Sequence, residues 1–184
     1  MSKNLKILTI LFVFLLKTST ISYAQKFTEY EVKMVYLYQF AKFVTWPDAA
    51  LNKNPAFIIG VYGENPFGNL PDVIYKDKTF KGKPCKVIHI KKVEDAKNCQ
   101  MIFFSGLKKY DVLKFIKELG NLPILLVGDQ LDGFCYVGGM INFAPKDANY
   151  RFEVNPETAK SANITISSKL FAVAKIVNSD EDNF

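Results

Sequence analysis

The sequence predicts a single three-layer α/β domain: a largely parallel central sheet with helices on both faces and an appended antiparallel hairpin. Three observations carry this. Residues 56–62, 100–104 and 123–127 are nearly continuous apolar runs, the mark of strands buried on both faces. Segments with helical character, 30–46 and 107–119, are interspersed with them, as in βα units. After residue 138 the pattern changes to two short apolar runs, 138–144 and 150–154, around Pro145-Lys146-Asp147-Ala148-Asn149, which reads as a hairpin.

The domain does not begin at residue 1. Lys3 and Lys6, an apolar run over 7–16 and Ser22-Tyr23-Ala24 ahead of Gln25 form a secretory signal peptide over 1–24, cleaved after Ala24. No later apolar stretch is long enough to span a bilayer, so the mature chain is expected to be soluble and exported. Residues 25–178 then form one domain, and 179–184 a frayed acidic tail. The whole chain carries a formal +6, and losing Lys3, Lys6 and Lys17 leaves +3. An oxidising compartment allows at most one intramolecular pair among Cys85, Cys99 and Cys135.

The first helix is expected to stop at Trp46-Pro47, since Pro47 lacks an amide donor and disfavours a helical Trp46. At 3.6 residues per turn Val32, Val35, Tyr36, Phe40, Phe43 and Val44 form one stripe, of which Val32, Val35, Tyr36 and Phe40 are assigned to the core. Met34, Leu37, Tyr38 and Ala41 make the opposite side apolar too, leaving Lys33, Gln39 and Lys42 as a thin polar edge. Such a helix either crosses the core or shares itself between core and partner. A short helix over 67–75 is capped by Asn65 with Pro66 at its first position. A strand covers 85–90, and the helix over 107–119 closes at Gly120. Asn155-Pro156 opens a helix ending near Ser161, and Ser167 opens the last one, 167–177.

Few residues suggest chemistry. Gly60, Gly63 and Gly68 follow a strand, but Pro66 interrupts them and the spacing is that of a turn rather than a dinucleotide loop. His89 is the single histidine and reads as a strand side chain, so no metal site or Cys/His nucleophile is expected. Asp129 and Asp132 flank a strand end, where open sheets place ligands, and Asp129 can equally cap a turn. The lysines between 76 and 92 read as a solvated face or, failing that, as a surface for an acidic partner; nucleic acid would call for arginine and exposed aromatics. Cys85 and Cys99 each open a strand, and a disulfide between them is possible if those strands are neighbours, with Cys135 left as a free thiol. No catalytic set or cofactor emerges, and the chain is not expected to be an enzyme.

Several blocks together resemble one family: 40–47 (Phe-Ala-Lys-Phe-Val-Thr-Trp-Pro), 63–68 (Gly-Glu-Asn-Pro-Phe-Gly), 99–104, Val127-Gly128-Asp129, 138–143 (Gly-Gly-Met-Ile-Asn-Phe), 152–155 and 166–170. In this order they resemble the YfiR/HmsC-like family of exported bacterial regulators. The resemblance implies a periplasmic α/β domain without enzymatic activity. It implies binding to the periplasmic part of an inner-membrane diguanylate cyclase, which is held inactive, so that the envelope controls cyclic-di-GMP and biofilm formation. It also implies an outer-membrane lipoprotein that can sequester the repressor, self-association such as a homodimer, and control by cysteine oxidation. The family often has a disulfide near the Gly-Gly-Met block; here Cys135 precedes that block and no second cysteine follows. The output can also be a sensor kinase. Tyr38, Phe43 and Trp46 are the partner-interface candidates, as partly exposed aromatics. The alternative is a small-ligand sensor using Gly63, Asn65 and Asp129.

Overall fold

The first helix begins with a capping box. Thr28 Oγ1 accepts from the Glu31 amide at 3.3 Å while Glu31 Oε2 accepts from the Thr28 amide at 2.6 Å. This helix, α1 (Glu29–Phe43), ends before Trp46, because Val44 and Thr45 turn extended as β1 (Val44–Thr45). β1 pairs antiparallel with β9 (Thr165–Ile166), Val44 opposite Ile166, and β-branched residues suit that ladder better than another helical turn. The computed structural model describes residues 27–145 and 148–178, so the predicted signal peptide and the acidic tail lie outside the described residues.

After α2 (Asp48–Asn52) comes β2 (Phe57–Gly63), the strand on which the sheet is built. It pairs in parallel with β4 (Lys83–Ile90) on one side and β5 (Met101–Ser105) on the other. Parallel β6 (Leu125–Asp129) and β7 (Ile141–Phe143) extend the sheet beyond β5, and β8 (Phe152–Val154) returns antiparallel as the hairpin partner of β7. With edge strands β3 (Thr79–Phe80) and β10 (Ala174–Ile176) the order is β10-β8-β7-β6-β5-β2-β4-β3. The fold is therefore the predicted mixed α/β domain with a largely parallel sheet, plus the small separate β1–β9 pair.

Two further helices differ from expectation. α3 (Leu70–Ile74) starts later than predicted, with Pro71 in its first turn, while Asn65 Oδ1 accepts from the Phe67 amide at 3.1 Å in a local turn. The predicted last helix is a 3-10 segment, Ser168–Val173, capped by Ser167, and then strand β10 in parallel register with β8. Val173, Ile176 and Val177 are β-branched and meet an open sheet edge; the Val177 amide donates to the Val154 carbonyl at 2.9 Å. Two shorter helices, α4 (Val93–Ala96) and α6 (Pro156–Ser161), complete the connections with α5 (Lys109–Leu119), which Gly120 closes at φ 65°.

Alternation along the strands divides the core. Phe57, Ile59, Val61, Phe103, Val127, Phe143 and Phe152 point to the face covered by α1. Tyr62 and Phe104 point the other way and meet Phe115 of α5 at ring distances of 4.2 and 5.3 Å. α1 lies in a rotation opposite to the expected one. Met34, Leu37, Phe40 and Ala41 are buried, whereas Val32 and Val35 are 39% and 45% exposed. Only Phe40 and Val44 of the predicted stripe are fully in the core, because both sides of this helix are apolar and periodicity cannot choose between them.

This rotation predicts a contrast measurable by urea unfolding. Phe40→Ala should cost ~3–5 kcal/mol, and Val35→Ala no more than ~0.5 kcal/mol.

Candidate functional site

Lys33, on the same turn as Met34, is turned inward. Its ammonium is paired with the Asp129 carboxylate and with Glu29 Oε1, the latter at 2.6 Å, and the side chains of Lys33 and Asp129 are each 6% exposed. Ser105 Oγ donates to Asp129 Oδ2 at 3.1 Å, so the ends of β5 and β6 are joined beneath the helix. Tyr30 and Phe143 place their rings 4.8 and 5.7 Å from the Lys33 ammonium. Burial alone would lower the Lys33 pKa, but the hydrogen bonds to Asp129 and Glu29 outweigh it, and the value is raised.

Beside this cluster a cleft of about 550 Å³ opens between α1 and the β7–β8 hairpin. Val32, Lys33, Tyr36, Phe143, Tyr150 and Arg151 line much of it. Gln130 stands at its edge with φ 55° and donates from Nε2 to Glu29 Oε1 at 3.0 Å. Arg151 Nη1 donates to the Tyr36 hydroxyl at 3.4 Å, bridging hairpin and helix.

The residues proposed for a ligand site come together only in part. Gly63 and Asp129 end strands on the same side of the sheet, with Ser105 between them in the register. Gly63, at φ 94°, is packed so tightly that an added Cβ would lie 2.2 Å from the Ser105 carbonyl oxygen. Its own carbonyl meets His89 Nε2 at 2.9 Å, which gives that exposed histidine a backbone partner. Asn65 is spent on its local turn. The Asp129 carboxylate is neither a turn cap nor open to a ligand; it holds Lys33 and Ser105. Sequence reading missed Lys33, Glu29, Ser105 and Arg151. The one available signal was a lysine interrupting an otherwise apolar helix.

The interface candidates also separate. Trp46 is core, 3% exposed, its Nε1 donating to the Gln100 carbonyl at 3.1 Å between Phe57 and Phe80. Tyr38 is half-buried and donates to the Thr79 carbonyl at 2.9 Å. Phe43 is half-buried on the outward side, in line with Val32 and Val35. Among the described residues no group of three or more His, Cys, Asp or Glu is placed to hold a metal ion, and no helix is long and apolar enough to cross a membrane.

The YfiR/HmsC-like family pattern matches residues 30–175, which run from α1 into β10. The chain belongs to that family. It is accordingly a YfiR-type regulator, of a family of regulators and not of catalysts. A search among curated proteins finds no match.

In this YfiR/HmsC-like chain the three thiols are free and buried, and the Cys85–Cys99 bridge considered possible is absent. Two features keep them apart. Strand β2 lies between β4 and β5, so the strands they open are not neighbours. They also sit on opposite faces. Cys85 is in register with Phe57 on the α1 side, whereas the Cys99 sulfur packs over Gly60, 2.9 Å from where a Cβ would be. Cys135 lies elsewhere, its thiol 3.6 Å from the Glu153 carbonyl. Burial raises all three pKa values, that of Cys99 to about 12 with a further push from Asp95.

Two measurements follow. The native protein should give no Ellman reaction near neutral pH and three thiols after unfolding. Lys33, with its pKa raised, contributes stability that is complete below the unfolded lysine value of about 10.4 and lost as pH rises through the folded one. Wild type should therefore lose more stability than Lys33→Met over that alkaline range, read as the difference between their urea midpoints.

Proposed function

We propose that this chain is an exported, non-catalytic regulator that binds the periplasmic part of an inner-membrane signalling protein, a diguanylate cyclase, and holds its output low by stoichiometric occupancy. The observation that carries this reading is the family match across the whole folded domain, from α1 into β10. The partner-facing surface in this reading is the outward ridge of α1, with Val32 and Val35 exposed and Phe43 and Tyr38 half-buried beside them. Trp46, buried in the core, is not part of that surface. Release comes from a competing binder such as an outer-membrane lipoprotein, and a homodimer is compatible with the same stoichiometric logic.

The second reading is a small-ligand sensor feeding a sensor kinase. The cleft between α1 and the hairpin favours it, because a ligand against Tyr36 and Arg151 would bear on the same helix.

The experiment is co-purification from bacterial envelopes with the tagged chain, followed by identification of the captured membrane protein. Val32→Asp with Val35→Asp should reduce capture at least tenfold, as loss of a central interface contact does, with the unfolding midpoint unchanged. Capture that survives this double change in a folded protein contradicts the placement of the interface. A captured kinase in place of a cyclase selects the second output.

A further inference from the structure

The charge of the chain is unevenly placed. Residues 76–92 carry seven lysines and a single acid, Asp77, a formal +6. The remaining residues from 25 onward carry 14 lysines and arginines against 17 acids, a formal −3. The excess positive charge of the mature chain is thus confined to one stretch.

The topology puts that stretch on one side of the domain. β3 and β4 end the strand order, joined by a two-residue turn in which Lys81 and Gly82 have φ of 49° and 78°. β3 pairs only with Lys83 and Pro84 of β4, so from Lys86 onward the outer side of β4 has no strand against it among the described residues. Lys76, Lys78, Lys81, Lys86, Lys91 and Lys92 are all exposed. Two large aliphatic side chains are exposed among them: Val73, 69%, at the end of α3, and Ile88, 38%, on β4.

We propose that this lysine edge is a docking surface for an anionic phospholipid bilayer. Three features favour lipid over an acidic protein. The cluster is all lysine, the residue depleted from protein interfaces. Long lysine stems can lie along an apolar boundary while their ammonium groups reach phosphate, so Val73 and Ile88 suit the headgroup region. Attraction of clustered lysines to anionic lipid needs no fixed geometry, which matches these exposed side chains. Lysines on an edge also hinder strand pairing, but that role calls neither for the exposed aliphatics nor for confining the excess charge here. Such docking would hold the domain to the membrane by its sheet edge, independently of its protein partner, and it does not rest on the cyclase reading.

The test is co-sedimentation of the chain from Gln25 onward with vesicles of one part phosphatidylglycerol to two parts phosphatidylcholine. Pure phosphatidylcholine vesicles are the reference. Binding is expected to the mixed vesicles alone and to vanish between about 0.05 and 0.5 M salt. Lys81→Glu, Lys86→Glu and Lys91→Glu together should weaken it by roughly a hundredfold or more. Lys114→Glu, Lys117→Glu and Lys160→Glu, an equal charge change elsewhere, should leave most of it. If the first triple variant does not fold, Lys76→Gln with Lys92→Gln replaces it and should still weaken binding about tenfold. No binding at low salt, equal binding to both vesicles, or equal loss in the control variant overturns the proposal. So does edge-dependent binding to an acidic protein without any to vesicles.

Discussion

A lysine near the start of the first helix is held inside the domain by a carboxylate 96 residues further along the chain. Lys33 and Asp129 would each be costly to bury alone, by several kcal/mol, and their pairing is tolerable only because further hydrogen bonds complete it. Glu29 accepts one from the ammonium and Ser105 donates one to the carboxylate. The result is a rotational key. α1 is apolar nearly all round, so hydrophobic burial would accept either side; the ion pair selects the side that carries Met34, Leu37 and Ala41. Val32 and Val35 face outward for the same reason.

That choice links fold to function in this YfiR-type regulator. The helix that closes one face of the sheet also presents the ridge proposed for the partner. The chain leaving it is fixed at once, because β1 pairs with β9 and Trp46 enters the core two residues after Val44. Anything altering the Lys33–Asp129 pairing would act on core and surface together. The adjoining cleft, bridged by Arg151 and Tyr36, offers a place from which a small molecule could exert such leverage. The buried thiols sit apart from it, on different faces, and their raised pKa values leave little thiolate for oxidation.

The legible part of the sequence was the part governed by local rules. Strands β2, β5 and β6 announce themselves because both faces are covered, so their apolar runs are unbroken. The Asn155 cap and the Gly120 stop were equally plain, each a property of one or two residues. What could not be read depends on residues far apart. Lys33 stands out in an apolar helix, but nothing local pairs it with Asp129, and without that pairing the rotation of α1 could not be read. The Cys85–Cys99 bridge failed on strand order and on register, since β2 intervenes and the two sulfurs lie on opposite faces. At the C-terminal end, β-branched residues found a sheet edge that helical periodicity cannot anticipate.

The rotational key is tested most directly by a double-mutant cycle between Lys33→Met and Asp129→Leu, read by urea unfolding. Removing one member leaves a buried charge, so each single change should cost about 3–5 kcal/mol, while the double change costs far less than their sum. A coupling of roughly 2 kcal/mol or more is the predicted result. Additivity within about 0.5 kcal/mol would show that the two side chains do not meet in the folded protein, and would contradict this account of how α1 is seated.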